Sequence, residues 1–152
     1  MSHVKLHPAE IARVREAVAY GMLNLGFAIE GDAKRDCPVR GGHRSFMTAG
    51  NTKAGTPRMG GTLRRSIHTE AYLDGRKIGG TGTDENGNGT PPYAPGSGIA
   101  VLVGTNCNYG LYVEKGTVKM QPPRPFVGPA VAKNREAAPG LIAAGFRKRY
   151  GQ

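Results

Sequence analysis

The chain has 152 residues, enough for one domain with a real buried core. It is 38% hydrophobic with a mean hydropathy of -0.41, and no apolar run approaches the length a bilayer needs, so the reading excludes a membrane-spanning protein. Lys and Arg number 21 against 11 Asp and Glu, and the net charge of +10 favours nucleic acid or an acidic protein surface as a neighbour.

Two cysteines, Cys37 and Cys107, are far too few for a disulfide scaffold and stand at no metal-ligand spacing from a histidine. Both are expected as ordinary buried thiols in a reducing cytosol. The start, MSHVKLHPAE, has no apolar core region, so no secretory signal is expected. With no Trp and 7% aromatics, a stacking platform for single strands is not expected either.

In chain order, Pro8 sits where a helix can begin, with Glu10 well placed in its first turn. Ile11, Val14, Val18, Met22, Leu25, Ile29 and Ala33 then recur at intervals of three and four, which predicts a long helix over 8–36 that ends before Cys37-Pro38. Gly21, Gly26 and Gly31 lie off this stripe. Each weakens the helix by about 1 kcal/mol relative to Ala, so packing must hold it. Close backbone approach and a slight bend both account for them.

Residues 40–60 show neither helical nor alternating periodicity and read as a long basic loop, with Arg40, His43, Arg44, Lys53 and Arg58. Thr62 can cap a short turn holding Leu63, Arg64 and Arg65. Ile67 to Leu73 then alternates as a strand, with Ile67, Ala71 and Leu73 inward and His68, Glu70 and Tyr72 outward. Asp74-Gly75 is a hairpin signal and Arg76-Lys77-Ile78 begins the return. Residues 79–98 form a second long Gly-rich loop.

Ile99 to Val103 is apolar on both pleat faces and reads as a strand buried from two sides. Asn106-Cys107-Asn108 turns the chain. Tyr109 to Glu114 returns either as strand or as one helical turn, and Gly116-Thr117 ends it. Strands are therefore placed at about 63–78 and 99–115. Residues 129–150 read as a C-terminal helix opened by Pro129, with a kink or a division at Pro139-Gly140. The fold class expected is α+β in a single domain over 1–152. A small antiparallel sheet is packed by the long N-terminal helix and the C-terminal helix.

Catalytic and cofactor signals are weak. Asp84 to Gly89 resembles half of a calcium loop, but its twelfth position is Pro95. Gly79 to Thr83 resembles a phosphate cradle, but Asp84-Glu85 follows it. His3, His7, His43 and His68 share no metal spacing. No nucleophile elbow is present, so no enzyme activity, metal or cofactor is expected.

Several segments together resemble one family. Val103-Gly-Thr-Asn106, then Tyr109…Tyr112-Val113-Glu114…Gly116-Thr117, then Arg124-Pro125-Phe126-Val127…Pro129-Ala130 is similar to the tail-completion or neck proteins of long-tailed phages. The family carries a YAxYVExGT segment followed by PFxxPA. Upstream, Asp32-Ala33-Lys34…Cys37-Pro38-Val39 and Gly61-Thr62-Leu63-Arg64-Arg65-Ser66-Ile67 continue the likeness. Residues 40–60 depart from it, since the family joins those two pieces almost directly.

The resemblance implies a structural virion protein of the phage neck or tail, present in the host cytoplasm during assembly. It implies a cyclic homo-oligomeric ring, six-fold or twelve-fold, acting as tail-completion, neck or tail-terminator component between the head connector and the tail tube. Leu111, Tyr112, Val113 and Phe126 read most simply as core residues, with an anchor of Arg124-Pro125-Phe126 into an adjacent subunit as the alternative. Interface candidates are Arg58, Arg64, Arg65, Tyr112, Glu114, Thr117, Arg124 and Phe126. Lys133, Arg135, Arg147 and Lys148 are candidates for weak, sequence-independent contact with double-stranded DNA in the lumen. The alternative from another class is a stand-alone basic nucleic-acid-binding protein.

Overall fold

Helix α1 (Pro8–Asp36) is the element on which the sheet and both C-terminal helices pack. The computed structural model describes residues 7–38, 62–81, 96–107, 109–118 and 122–151. The His7 side chain accepts from the Ala9 N–H to start α1, and Glu10 lies in the first turn. Cys37, held extended by the following Pro38, ends it.

After α1 come α2 (Thr62–Ser66), β1 (Ile67–Leu73), β2 (Arg76–Gly80), β3 (Ile99–Thr105), α3 (Gly110–Lys115), α4 (Val127–Asn134) and α5 (Ala138–Tyr150). The sheet is antiparallel with strand order β2-β1-β3. The expected α+β architecture is what the structure shows. At the β1–β2 hairpin Asp74 and Gly75 both take positive φ, 49° and 79°, which a tight two-residue turn demands. Asp74 also accepts from the Gly98 N–H and from Arg15, pinning the start of β3 to the turn and to α1.

The faces of β1 differ from the expected alternation. Ile67 and Ala71 are buried as expected, but His68, Glu70 and Tyr72 are buried too, Glu70 completely. Both pleat faces of β1 are covered from Ile67 to Tyr72. Their polar atoms are satisfied instead: Glu70 accepts from the Tyr72 hydroxyl and from Lys77, and His68 Nδ1 lies 2.9 Å from the Ser66 carbonyl oxygen. Burial, then the Glu70 carboxylate beside it, pushes the Tyr72 hydroxyl up to about 12.

Conversely β3, expected to be buried from two sides, is an edge strand and half-buried along its whole length. It stops at Thr105, and residues 110–115 are helix rather than strand. The region expected as strand from 63 begins only at Ile67, because 62–66 form α2. The return strand reaches Gly80, taking two residues from the expected 79–98 loop. Gly80 there has φ 152° and passes so close over β1 that a Cβ would lie 2.2 Å from the Thr69 carbonyl oxygen.

The core-facing side of α1 is also not the expected stripe. Ala33 is buried and Ile29 packs against the core as expected, but Ile11 and Val14 are exposed, and Ala17, Ala19, Gly21, Leu23 and Gly26, all off the stripe, are buried. Small residues let neighbours come close. A Cβ on Gly21 would lie 2.5 Å from the Ile142 carbonyl oxygen of α5, and one on Gly26 would lie 2.6 Å from side-chain atoms of Thr69 and Val101. Gly31 faces open space.

The C-terminal helical region is two helices, as the alternative at Pro139-Gly140 allowed. The division falls at 135–137, and Pro139 sits in the first turn of α5 where its missing N–H costs nothing. Helix α5 has no buried residue. It rests on α1 by Gly145 against Gly21, by the Asn24 side chain donating to the Leu141 carbonyl, and by Arg149 paired with Glu16 over the Tyr20 ring.

Candidate protein-docking surface

Ala33, Cys37, Leu63, Ile67, Val113, Phe126 and Ala130 form one buried cluster. Four of the five segments that carry the resemblance, 32–39, 61–67, 109–117 and 124–130, contribute to it, and 103–106 does not. Burial pushes the Cys37 thiol up, whereas Cys107 is only half-buried against the same cluster.

Glu114 is the polar counterpart of this core. Its Oε2 accepts the Phe126 and Val127 N–H groups at 2.8 and 3.0 Å, and its Oε1 accepts the Gly128 N–H at 2.8 Å. The first-turn N–H groups of α4 have no partners within their helix, and this carboxylate supplies them from α3. Burial alone would raise the Glu114 carboxyl, but the three donors outweigh it and hold it below the usual carboxylate range. Helix α4 therefore begins at Val127, two residues before Pro129.

Fixing α3 by Val113 and Glu114 turns its other side outward. Leu111 is 59% exposed, Tyr112 53%, and Val118 just beyond 99%, with Tyr109 exposed beside them. Gly110 makes the inward face thin enough: a Cβ there would lie 2.6 Å from the Thr105 methyl and 3.2 Å from Leu63. Gly116, at φ 76°, ends the helix and lets the chain turn away. Arg124 is held alongside by its N–H donating to the Val113 carbonyl. Arg64 is exposed on α2 directly after Leu63, the residue packed against Gly110 of α3. Clusters of exposed aromatic and aliphatic side chains edged with Arg are how protein interfaces are built.

Of the residues singled out from sequence, Arg64, Tyr112 and Arg124 share this surface and are exposed. Arg65 is exposed on α2 and Thr117 is half-buried after α3. Arg58 lies outside the described residues, as do the basic loop 40–60 and the stretch Asp84 to Gly89. Phe126 and Val113 lie in this chain's own core, as their simplest reading had it, so Phe126 is no anchor into a neighbouring subunit, whereas Leu111 and Tyr112, read as core too, are exposed. Glu114 likewise spends its oxygens within the chain. Lys133 pairs with Asp32 at 3.0 Å; Arg135, Arg147 and Lys148 are exposed.

Sequence reasoning missed Tyr109, Lys115 and Val118 and placed Leu111 in the core. Read as a strand, 109, 111 and 113 share one face and Leu111 would be buried with Val113. Only the helical reading separates Leu111 from Val113, and only packing chose between the two.

A cleft of about 270 Å³ opens between α1 and α5, lined by Tyr20, Leu23, Phe27 and Gly145 with Lys148 and Arg149. Among the described residues no group of three or more His, Cys, Asp or Glu is placed to hold a metal ion. No described helix is long and apolar enough to cross a membrane. The chain matches no protein-family model, no curated protein and no solved structure, so the likeness to phage neck proteins rests on the motifs themselves.

Proposed function

We propose that this protein is an architectural component of a tailed-phage particle, a ring-forming neck, tail-completion or tail-terminator protein at the head–tail junction, without catalytic activity. The observation that supports the reading is the convergence of four of the five resembling segments. They are far apart in sequence, yet they build one core whose outward product is the exposed Tyr109–Leu111–Tyr112 surface. A device that converts buried packing into a rigid apolar platform suits assembly. The basic surplus suits a protein that sits near a DNA channel or against acidic neighbours.

A gel-shift titration of double-stranded DNA over a salt series tests this. Weak, sequence-independent binding that disappears by physiological salt is expected, because DNA must slide through a neck. Tight binding by the isolated monomer at physiological salt would instead favour a stand-alone nucleic-acid-binding protein.

A further inference from the structure

Charge sorts the possible occupants of the α3 surface. Its cations, Arg64, Lys115 and Arg124, make no ion pair among the described residues. The described acids are largely engaged inside the chain: Glu16 with Arg149, Glu30 with Lys34, Asp32 with Lys133 and Arg35, Glu70 with Lys77, Asp74 with Arg15, and Glu114 with three N–H groups. Of the rest, Glu10 is on the first turn of α1, Asp36 on its last, and Glu136 is between α4 and α5. The described surface of a sister molecule thus offers no acidic patch to meet three arginine and lysine heads. Like charges brought together across an interface cost several kcal/mol, so basic surfaces of two copies repel.

Nucleic acid fits the cations but not what lies between them. Leu111, Tyr112 and Val118 are more than half exposed, and phosphate oxygens gain nothing from them. What fits both parts is a protein surface with an apolar centre and an acidic margin.

We propose that the α3 surface docks an acidic protein surface presented by a different protein of the same assembly, an adjoining layer rather than a sister subunit. Tyr112 and Leu111 fill the centre. Arg64, Lys115 and Arg124 meet carboxylates around them, which speeds encounter and rejects basic surfaces. This rests on the architectural reading above and adds to it which face looks along the particle axis: α3 joins layers, and other faces close the ring.

The test is photo-crosslinking in cells expressing the full chain together with the neighbouring genes of its own genome. Benzoylphenylalanine replaces Leu111 or Tyr112, with Val131 on α4 as the control position. The expected result is one cross-linked protein other than this chain, attached at a peptide of net negative charge. Its yield should drop about ten-fold in R64E/R124E and survive largely intact in R64K/R124K. Attachment to this same chain (a peptide holding Asp84 and Glu85 included), attachment to nucleic acid, yield unmoved by charge reversal, or no product above the Val131 control would each overturn it. Native mass measurement of the same preparations keeps the two readings apart. A ring without the acidic cross-link defeats the docking proposal alone; the acidic cross-link on a single-copy chain defeats the ring alone.

Discussion

Glu114 and Gly128 are joined by a 2.8 Å hydrogen bond from the Gly128 N–H to the Glu114 carboxylate, so one side chain of α3 seats the start of α4. The same carboxylate takes two more N–H groups, and each of these donors would be left without a partner if it were removed. Glu114→Ala should destabilise the fold by about 1–3 kcal/mol, the cost of orphaning partly buried donors. Glu114→Gln, which keeps one acceptor oxygen, should lie between. Urea unfolding measures both; an unchanged midpoint in Glu114→Ala would show that the bonds carry no stability.

Acid should act through the same group. Glu114, Asp32 and Asp74 are all held below their ordinary carboxyl values: Glu114 by backbone donors that outweigh its burial, Asp32 first by Lys133, and Asp74 first by the Gly98 N–H. A depressed folded-state value means that the stabilisation is full above the ordinary value, 4.5 for Glu114, and is lost as pH falls through the lower folded value. Stability should therefore fall below about pH 4.5, and Glu114→Gln should fall less steeply than wild type. Urea midpoints across the acid range give the comparison.

The glycines of α1 should respond with opposite signs. Gly21→Ala puts a methyl 2.5 Å from a backbone oxygen of α5 that has little room to move, and should cost about 1–3 kcal/mol by overpacking. Gly145→Ala, against Gly21 itself, should do the same. Gly31→Ala meets nothing within 4 Å and should stabilise by about 0.5–1 kcal/mol through helix propensity. Thermal midpoints of the three variants decide it.

Phe126 and Tyr112 should separate stability from assembly. Phe126→Ala empties a site in the core and should cost about 3–5 kcal/mol. Tyr112→Ala removes an exposed ring and should stay within about 0.5 kcal/mol of wild type by urea unfolding. Its effect should appear only when the neighbouring layer is present.

The ends of α1, the hairpin at Asp74-Gly75 and the presence of helix at both ends of the chain were legible because each rests on local rules. Pro8 and Pro38 restrict the backbone, and Asp74 and Gly75 accept the positive φ of a tight turn, whatever surrounds them. The sides that elements bury were not legible. Glu70 reads as solvent-facing until Tyr72 and Lys77 are brought to it, and Ile99 to Val103 reads as central although β1 takes that place. Along α1, periodicity marks Ile11 and Val14, which are exposed, and passes over Gly21, Leu23 and Gly26, which are buried, because Gly21 and Gly26 admit α5 and the sheet. Glu114 was visible as the lone acid of its motif, but its partners are three backbone N–H groups that no side-chain pattern reveals.

The central claim is that this chain works as one of many identical parts. The native mass of the complex that contains it, released intact from expressing cells, tests that most directly. A cyclic multiple of the 16.1 kDa chain, six or twelve copies, is the expected value. A complex holding a single copy would contradict it.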